Sequence, residues 1–462
     1  MKRLLALGLI VVLAACDTPD PLQPTNPYDP DKPVGRIATP PSELAVSETT
    51  PTSVTLTWTD NSSFESGYHV VEVIDVVGAP PRESVVAELP PDASSYVIED
   101  LLDVEPHRFV VRAVTDPGPP TDAPDAVSNA VEVHYPPLSQ AALSTSDNLS
   151  FSDVIISGDG STVFVYSSAF SSQTQTVETY DVLSGQRIAQ GAFAPFSSGG
   201  DPNRLMPIYG GRAGVGGNRY NEARLRFEGV VSMVSRAGVV ETRELSQAHG
   251  CERFVANPEG TVVAGFCFPQ QEGQGEMWRA WSLSTGDRVG QLREGDRAYA
   301  ESLLALTATQ ALFATDAGLE LVRGVDGEVV WQQPLSAPWA QFLDGQQKVI
   351  VSLFEGQRPI LRVLSATTGE RLVEWSDPLE GPILATRGTR AVYLIDEFPS
   401  IGGYEGVVVD IESPETRRVL SGAAGGVKAA HFTDDTVVTV GGNGRIYEWD
   451  FSQPWEVVST AE

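Results

Sequence analysis

The sequence is poor in the residues that metal and redox sites use. Its 462 residues include 3 cysteines and 5 histidines. No His-Glu-x-x-His motif occurs, and no two histidines lie three to five residues apart. A zinc site usually takes four Cys or His ligands at short spacing. Apart from Cys16 near the N-terminus, the chain has two cysteines, Cys251 and Cys267, and these do not suffice. With no vicinal cysteines either, we expect neither a metal centre nor a cofactor.

Positive charge is also scarce. The chain has 31 Lys and Arg against 61 Asp and Glu, a formal net charge of -30. Nucleic-acid binding needs clustered Lys and Arg, so no nucleic-acid partner is expected. The same charge disfavours adsorption to an anionic membrane surface. The acidity is typical of a soluble, self-repelling surface, and capture of a basic partner or of cations is the alternative.

Segments with a helical hydrophobic period are few. Instead, 43 glycines and 33 prolines separate short segments in which apolar and polar residues alternate. Alternation with a period of two predicts half-buried strands, so the fold class is expected to be all-β. The length leaves room for two or three domains.

The N-terminus has the pattern of a signal peptide. Lys2 and Arg3 precede an apolar segment, residues 4–13, which is too short to span a bilayer. The following Leu13-Ala14-Ala15-Cys16 resembles a bacterial lipobox, which implies cleavage before Cys16 and its acylation; an ordinary cleavage site with an incidental cysteine is the alternative. Residues 1–16 are thus a predicted lipoprotein signal peptide, anchoring the chain to a bilayer in the cell envelope. Asp17 does not decide whether that membrane places the chain in the periplasm or on the outer surface.

Two segments follow before the longest domain. Residues 17–41 are rich in Pro and Asp and are predicted to form an extended tether. Residues 42–135 alternate as in Val54-x-Leu56-x-Trp58 and are predicted to form a β-sandwich. With Gly67-Tyr68 and a last strand at residues 128–131, this segment resembles a fibronectin type III domain, in which His107 takes the place of the corner tyrosine and is expected to be structural. Residues 136–148 are predicted to be a connector.

Residues 149–462 contain a repeated unit. In residues 427–450, two short strands precede Asn443-Gly444, a dipeptide that favours a type I′ hairpin, and a third strand that ends at Trp449. This unit resembles a WD-repeat blade, and other units resemble quinoprotein-like propellers. Seven units at spacings of about 40 to 50 residues predict a seven-bladed β-propeller, or eight blades if the region before Phe151 adds strands. The six earlier units are YDVLSGQRI, MVSRAGVVETREL, WSLSTGDRV, LVRGVDGEVVW, VLSATTGERL and VVDIESPETRRVL.

Two local features of this region lead to further predictions. The glycine-rich residues 210–224 lack the Gly-Lys-Ser/Thr ending of a phosphate-binding loop, so they are predicted to be a flexible loop inserted on a propeller face. Cys251 and Cys267 flank the turn at residues 257–260 almost symmetrically. They are predicted to form a cross-strand disulfide, with two free buried thiols as the alternative.

These features favour a function without catalysis. The main hypothesis is a membrane-anchored, envelope-exposed interaction scaffold, which uses a propeller face to bind another envelope protein and the sandwich as a spacer. The first alternative is a hydrolase or lyase that acts on glycans or peptides through carboxylates in the propeller channel. The second is a propeller that binds a carbohydrate or small ligand with exposed aromatics, for which Trp278, Trp339 and Tyr404 are the candidates.

Overall fold

The protein is all-β. The structure is a computed structural model and describes residues 38–62, 65–74, 80–101, 104, 106–115, 126–144, 153–167, 175–193, 196, 204–224, 226–248, 250–268, 276–295, 303–324, 326–337, 339–355, 358–376, 381–395, 405–420, 426–434, 436–453 and 456–458. Within these ranges the helical structure is a single 3-10 turn, Asp344–Gln346. No helix in the described chain has the length and apolar character needed to cross a membrane. Cys16 and the predicted tether up to residue 37 lie outside these ranges.

The N-terminal part consists of two antiparallel sheets that share a core. The first sheet has the order β1-β2-β5, with β1 Ser42–Thr49, β2 Val54–Thr59 and β5 Ser95–Ile98. The second contains β4 Arg82–Leu89, β3 Gly67–Ile74, β6 His107–Val114 and β7 Val131–His134. Leu56 and Trp58 of the first sheet pack with Tyr68 and Phe109 of the second, and all four are buried. The alternation along β2 therefore reflects one face turned to this core.

Seven four-stranded antiparallel sheets make up the rest of the described chain. Six of them take consecutive strands: β9 Asp153–Ile156, β10 Thr162–Ser167, β11 Gln175–Asp181 and β12 Arg187–Phe193; β13 Leu205–Ile208, β14 Arg212–Asn221, β15 Arg226–Val234 and β16 Val240–Glu244; β17 Cys251–Ala256, β18 Val262–Cys267, β19 Glu276–Ser282 and β20 Arg288–Gly295; β21 Leu303–Leu306, β22 Gln310–Thr315, β23 Gly318–Arg323 and β24 Val329–Gln333; β25 Trp339–Phe342, β26 Lys348–Glu355, β27 Arg358–Ser365 and β28 Arg371–Ser376; β29 Ile383–Arg387, β30 Arg390–Ile395, β31 Glu405–Asp410 and β32 Ser413–Leu420. The seventh contains β33 Val427–Phe432, β34 Val437–Gly441, β35 Arg445–Trp449 and, from before the first sheet, β8 Ser139–Ala142.

The sheets are arranged in a propeller-like series. The first strand of each sheet contacts the first strand of the next, from β9 through β13, β17, β21, β25 and β29 to β33. Strand β33 in turn contacts β9, so the series of contacts returns to its start. Buried apolar clusters lie between neighbouring sheets, as in the cluster shared by β10 and β34. Each sheet therefore covers an apolar face of the next.

The segment predicted to be a connector, residues 136–148, differs from that expectation. It contains β8, which pairs with β35 from Arg445↔Ala142 to Glu448↔Ser139. The physical reason is that β35 would otherwise present an unpaired strand edge, which folded proteins avoid. In the described chain, the region before Phe151 thus completes the seventh sheet and forms no eighth.

The turns of the six earlier units recognised in the sequence join the third and fourth strands of their sheets, whereas the turn at Asn443-Gly444 joins the second and third. Five of these six turns contain a glycine with positive φ, namely Gly185, Gly238, Gly286, Gly327 and Gly369. At Gly286, with φ 80°, an added Cβ would lie 2.4 Å from the carbonyl oxygen of Glu244 in the preceding sheet. Glycine is therefore needed both for the backbone conformation and for the close approach of two sheets.

The turn at Asn443-Gly444 is not the predicted type I′ turn. A type I′ turn needs positive φ at both central residues, whereas here Gly444 has φ 76° and Asn443 is not among the residues with positive φ. The Oδ1 atom of Asn443 accepts the backbone N–H of Arg445 at 3.0 Å. This local hydrogen bond favours an Asx-type turn, with glycine taking the left-handed position after it.

The N-terminal sheets pack directly on the sixth and seventh four-stranded sheets. Strand β36, Glu456–Val458, follows the seventh sheet and pairs with β7. Arg418 of β32 is buried and donates hydrogen bonds to the carbonyl oxygens of Leu101, at 2.6 Å, and Pro51. Tyr135 donates its hydroxyl hydrogen to the carbonyl oxygen of Asp450 at 3.0 Å. The sandwich expected to be a spacer is thus joined to the propeller-like part by strands, buried hydrogen bonds and a common core.

Candidate functional site

The hairpin formed by β14 and β15 is the most extended in the seven-sheet region. β14 has 10 residues and is the longest strand in the described chain. It pairs continuously with β15, from Ala213↔Val234 to Asn221↔Arg226. The prediction of a flexible loop over residues 210–224 was therefore wrong, because most of that stretch is a strand with a fixed register.

The glycines of this hairpin make room for aromatic rings. A Cβ on Gly216 would lie 2.4 Å from Cγ of Phe254, and one on Gly217 would lie 2.3 Å from Cγ of Phe196. On the partner strand, Gly229 makes room for Ala248 instead, whose Cβ would lie 2.7 Å from an added Cβ. Glycine in a strand often marks such a close approach, and the rings hold the base of the hairpin in place.

The base of the hairpin is also tied to the third sheet. The buried side chain of Asn218 accepts the backbone N–H of Cys251 at 3.1 Å. Cys251 and Cys267 lie directly opposite each other on β17 and β18, and the structure joins them by a disulfide. The hairpin is therefore hydrogen-bonded to a strand, β17, that the disulfide joins to its neighbour β18.

A buried carboxylate organises the end of the hairpin. Glu228 is 6% exposed and accepts hydrogen bonds from Asn221 at 2.9 Å, Arg224 at 2.7 Å and Arg226 at 3.3 Å. Burial raises the pKa of Glu228, but these hydrogen bonds lower it by more, so its pKa lies below the usual value. The carboxylate thus stays ionised at neutral pH and draws the two arginines over the turn.

The end of the hairpin presents two aromatic side chains to solvent. Tyr220 and Phe227 are directly opposed in register, and their ring centroids lie 5.3 Å apart in an edge-to-face arrangement. Tyr220 is 43% exposed and Phe227 is 44% exposed. Exposed arginines flank the pair. We call residues 219–224 together with Arg226 and Phe227 the hairpin tip.

The chemistry of the hairpin tip is that of a contact surface. Tyr and Arg are enriched among the side chains that carry most of the energy of protein interfaces. Edge-to-face packing and the strand register fix the two rings before any partner arrives, which lowers the entropy lost on binding. The three arginines of the tip outnumber the two carboxylates beside them, Glu222 and Glu228, so the tip has a small local excess of positive charge on a chain of net charge -30.

The aromatic residues proposed from sequence do not form this surface. Trp278 is 2% exposed and packs 5.7 Å from Phe266 and 6.2 Å from Phe313, measured between ring centroids. Its assignment to a binding face was wrong, because β19 turns this side chain into the core between sheets. Trp339 is half-buried at the start of β25, and Tyr404 lies outside the described residues.

His107, expected from sequence to be structural, and His431 both have structural surroundings. His107 Nδ1 lies 2.6 Å from Oε1 of Glu72 on the neighbouring strand β3. His431 lies on β33, where burial and the charge of Arg387 lower its pKa while Asp159 acts in the opposite direction. Across the described ranges, three or more His, Cys, Asp or Glu side chains come within ligand distance in one place, which is in the N-terminal sheets.

No protein-family model matches the sequence, and no curated protein matches it. Solved structures with a similar fold include the WD40 domain of Toxoplasma gondii coronin, at 10% identity and a TM-score of 0.41, covering 72% of this chain and 87% of that one. BamB from Moraxella catarrhalis is 13% identical with a TM-score of 0.34, covering 71% of this chain and 98% of that one. TolB from Acinetobacter baumannii is 12% identical with a TM-score of 0.31, covering 68% and 65%. Similarity at this level says nothing about function.

Proposed function

We propose that the protein is a lipid-anchored interaction scaffold of the cell envelope, whose hairpin tip binds another envelope protein. In this proposal, acylated Cys16 holds the chain on the bilayer and residues 17–41 form the tether. A fibronectin type III-like sandwich then leads into a seven-bladed β-propeller. The protein binds its partner and carries out no catalysis.

Support for the architecture comes from the order of strands and contacts. Seven sheets whose first strands contact one another in succession, and then contact the first again, are what a closed seven-bladed ring requires. The core of Leu56, Trp58 and Tyr68 between two sheets agrees with a fibronectin type III-like sandwich. Support for the anchor is the lipobox-like sequence that ends at Cys16.

The observation that carries the proposed function is the exposed aromatic pair of the hairpin tip. Tyr220 and Phe227 would be expected to turn inward or to be replaced by polar residues if the tip served only to connect two strands. Instead, both residues are at least 43% exposed and their rings pack against each other, while Glu228 fixes the turn beside them by the hydrogen bonds it accepts from Asn221 and Arg224. A fixed apolar pair with an arginine rim suits a partner surface with an apolar pocket bordered by carboxylates.

The position of the tip agrees with this role. It lies on the second four-stranded sheet, whereas the N-terminal sandwich packs on the sixth and seventh. The sandwich therefore leaves the tip accessible. Because the sandwich is the part that leads to the membrane anchor, a partner would meet the tip away from the point of attachment.

The test isolates the wild-type protein and the Tyr220→Ser/Phe227→Ser variant from detergent-solubilised native envelopes. It compares the partner proteins that are recovered with each. We expect a stoichiometric partner with the wild type and its loss with the double variant. Leu183→Ser is the matched control, because Leu183 is 68% exposed on a turn of the first sheet and its replacement should leave the partner bound. Recovery of the same partner by the double variant would exclude the tip as the binding site. Recovery of no partner by the wild type would argue against a scaffold.

A further inference from the structure

Three carboxylates from two loops meet at one end of the N-terminal sandwich. Asp60 and Glu65 belong to the loop between β2 and β3, and Asp92 belongs to the loop between β4 and β5. One carboxylate oxygen from each lies within 4.8 Å of the others. Both loops cross from one sheet of the sandwich to the other. A group that bound all three carboxylates would therefore join the two sheets.

Glu65 is buried, which distinguishes this cluster from a group of solvent-exposed acidic side chains. The residue is 7% exposed, and its Oε1 atom accepts the backbone N–H of Asp92 at 3.2 Å. Its Oε2 atom is buried and has no hydrogen-bond partner. A buried carboxylate oxygen without a partner is costly, and native proteins satisfy such atoms with a donor, a water or an ion.

The surroundings of the cluster leave its negative charge uncompensated. Asp60 Oδ1 accepts the N–H of Ser62 at 2.9 Å and the hydroxyl of Tyr68 at 2.5 Å, both neutral donors. Within the described ranges, none of the three carboxylates pairs with Arg, Lys or His.

We propose that Asp60, Glu65 and Asp92 bind a divalent cation, and that this cation is calcium. An all-oxygen, acidic ligand set suits a hard cation and not zinc or copper. Calcium accepts six to eight oxygen ligands in a flexible geometry, whereas magnesium demands a near-ideal octahedron and is seldom held by protein carboxylates alone, so three carboxylates from two loops suit calcium better. Water completes the coordination on the exposed side, where Asp92 lies.

The test uses the full-length protein in detergent at physiological salt, freed of metal with a chelating resin. Terbium(III) replaces calcium as a luminescent probe, since Tyr68 lies beside Asp60 and can transfer excitation energy to it. We expect saturable terbium emission that calcium displaces with an apparent dissociation constant of about 0.1 to 1 mM. Saturating calcium should raise the Tm of the sandwich by about 5 °C. Magnesium should compete at least tenfold more weakly.

Matched variants separate this site from the general acidity of the chain. Glu65→Gln and Asp92→Asn should each abolish the saturable emission and the rise in Tm. Glu88→Gln removes the same charge from an exposed position on β4 and should change neither. If Glu65→Gln does not fold, Asp92→Asn decides alone. The proposal is overturned by an absence of saturable binding to the wild type, by unchanged binding to Asp92→Asn, or by equal competition from magnesium.

Discussion

The junction between the sandwich and the sixth sheet depends on a buried arginine. Arg418 is 4% exposed, and burial lowers its pKa below the usual value. Its guanidinium donates to the carbonyl oxygens of Leu101 and Pro51 and lies 5.1 Å above the ring of Tyr135. A planar group with several donors can satisfy two carbonyls at once, which a lysine cannot.

We predict that Arg418→Met destabilises this junction by about 3 kcal/mol. Hydrogen bonds to a charged group each contribute about 1.5 to 3 kcal/mol, so losing both costs about 3 to 6 kcal/mol. Burial of the methionine side chain returns about 1 to 2 kcal/mol. The carbonyl oxygens of Leu101 and Pro51 would remain in the interface without their donor.

Urea denaturation followed by tryptophan fluorescence measures the effect. With an m value of about 3 kcal/mol per molar, the first transition should move to lower urea by about 1 M. Arg445→Met is the control, because Arg445 is exposed on β35 and its replacement should leave the midpoint nearly unchanged. An Arg418→Met midpoint equal to that of the control would refute the reasoning, since the two hydrogen bonds would then add nothing to the junction.

Three further predictions concern the seven sheets. The lowered pKa of Glu228 stabilises the fold above the unfolded pKa of about 4.3, and this contribution is lost as the pH falls through the folded value. The protection of the hairpin-tip amides against hydrogen exchange, taken relative to the intrinsic exchange rate at each pH, should therefore fall in acid, and Glu228→Gln should remove that pH dependence. Gly286→Ala should lower the free energy of unfolding by about 1 to 3 kcal/mol, measured by chemical denaturation. Gly388→Ala is the control and should cost less, because both glycines have positive φ but a Cβ at Gly388 meets open space. Reduction of the bond between Cys251 and Cys267, which lie 16 positions apart in sequence, should cost about 3 kcal/mol and lower the Tm. Equal Tm values with and without reductant would contradict this.

The propeller-like repeat could be predicted from sequence because its signal is local. Each recognised turn joins two strands that are adjacent in the chain. Glycines such as Gly286 are needed there for a backbone conformation with positive φ, and the short turn sequence around them indicates that conformation. The pairing of Cys251 with Cys267 across one short hairpin was predictable for the same reason.

The features that the sequence did not reveal depend on residues far apart in the chain. Gly216 and Gly217 indicate flexibility when taken alone, and become strand positions once Phe254 and Phe196 lie over them. Nothing near Ser139 indicates that its strand pairs with Glu448. The exposure of Tyr220 and the burial of Glu65 are likewise set by the packing of whole sheets.

Two strands link the N-terminal sandwich to the seven-sheet region, and this has a consequence for the proposed scaffold. Strand β8, from before the first four-stranded sheet, completes the seventh, while β36, from after the seventh, joins the N-terminal sandwich. Neither part has its full set of strands without the other. Relative movement of the two would break β36 away from β7 and expose the carbonyls that Arg418 satisfies. The sandwich therefore cannot act as a hinge for the seven sheets that carry the hairpin tip.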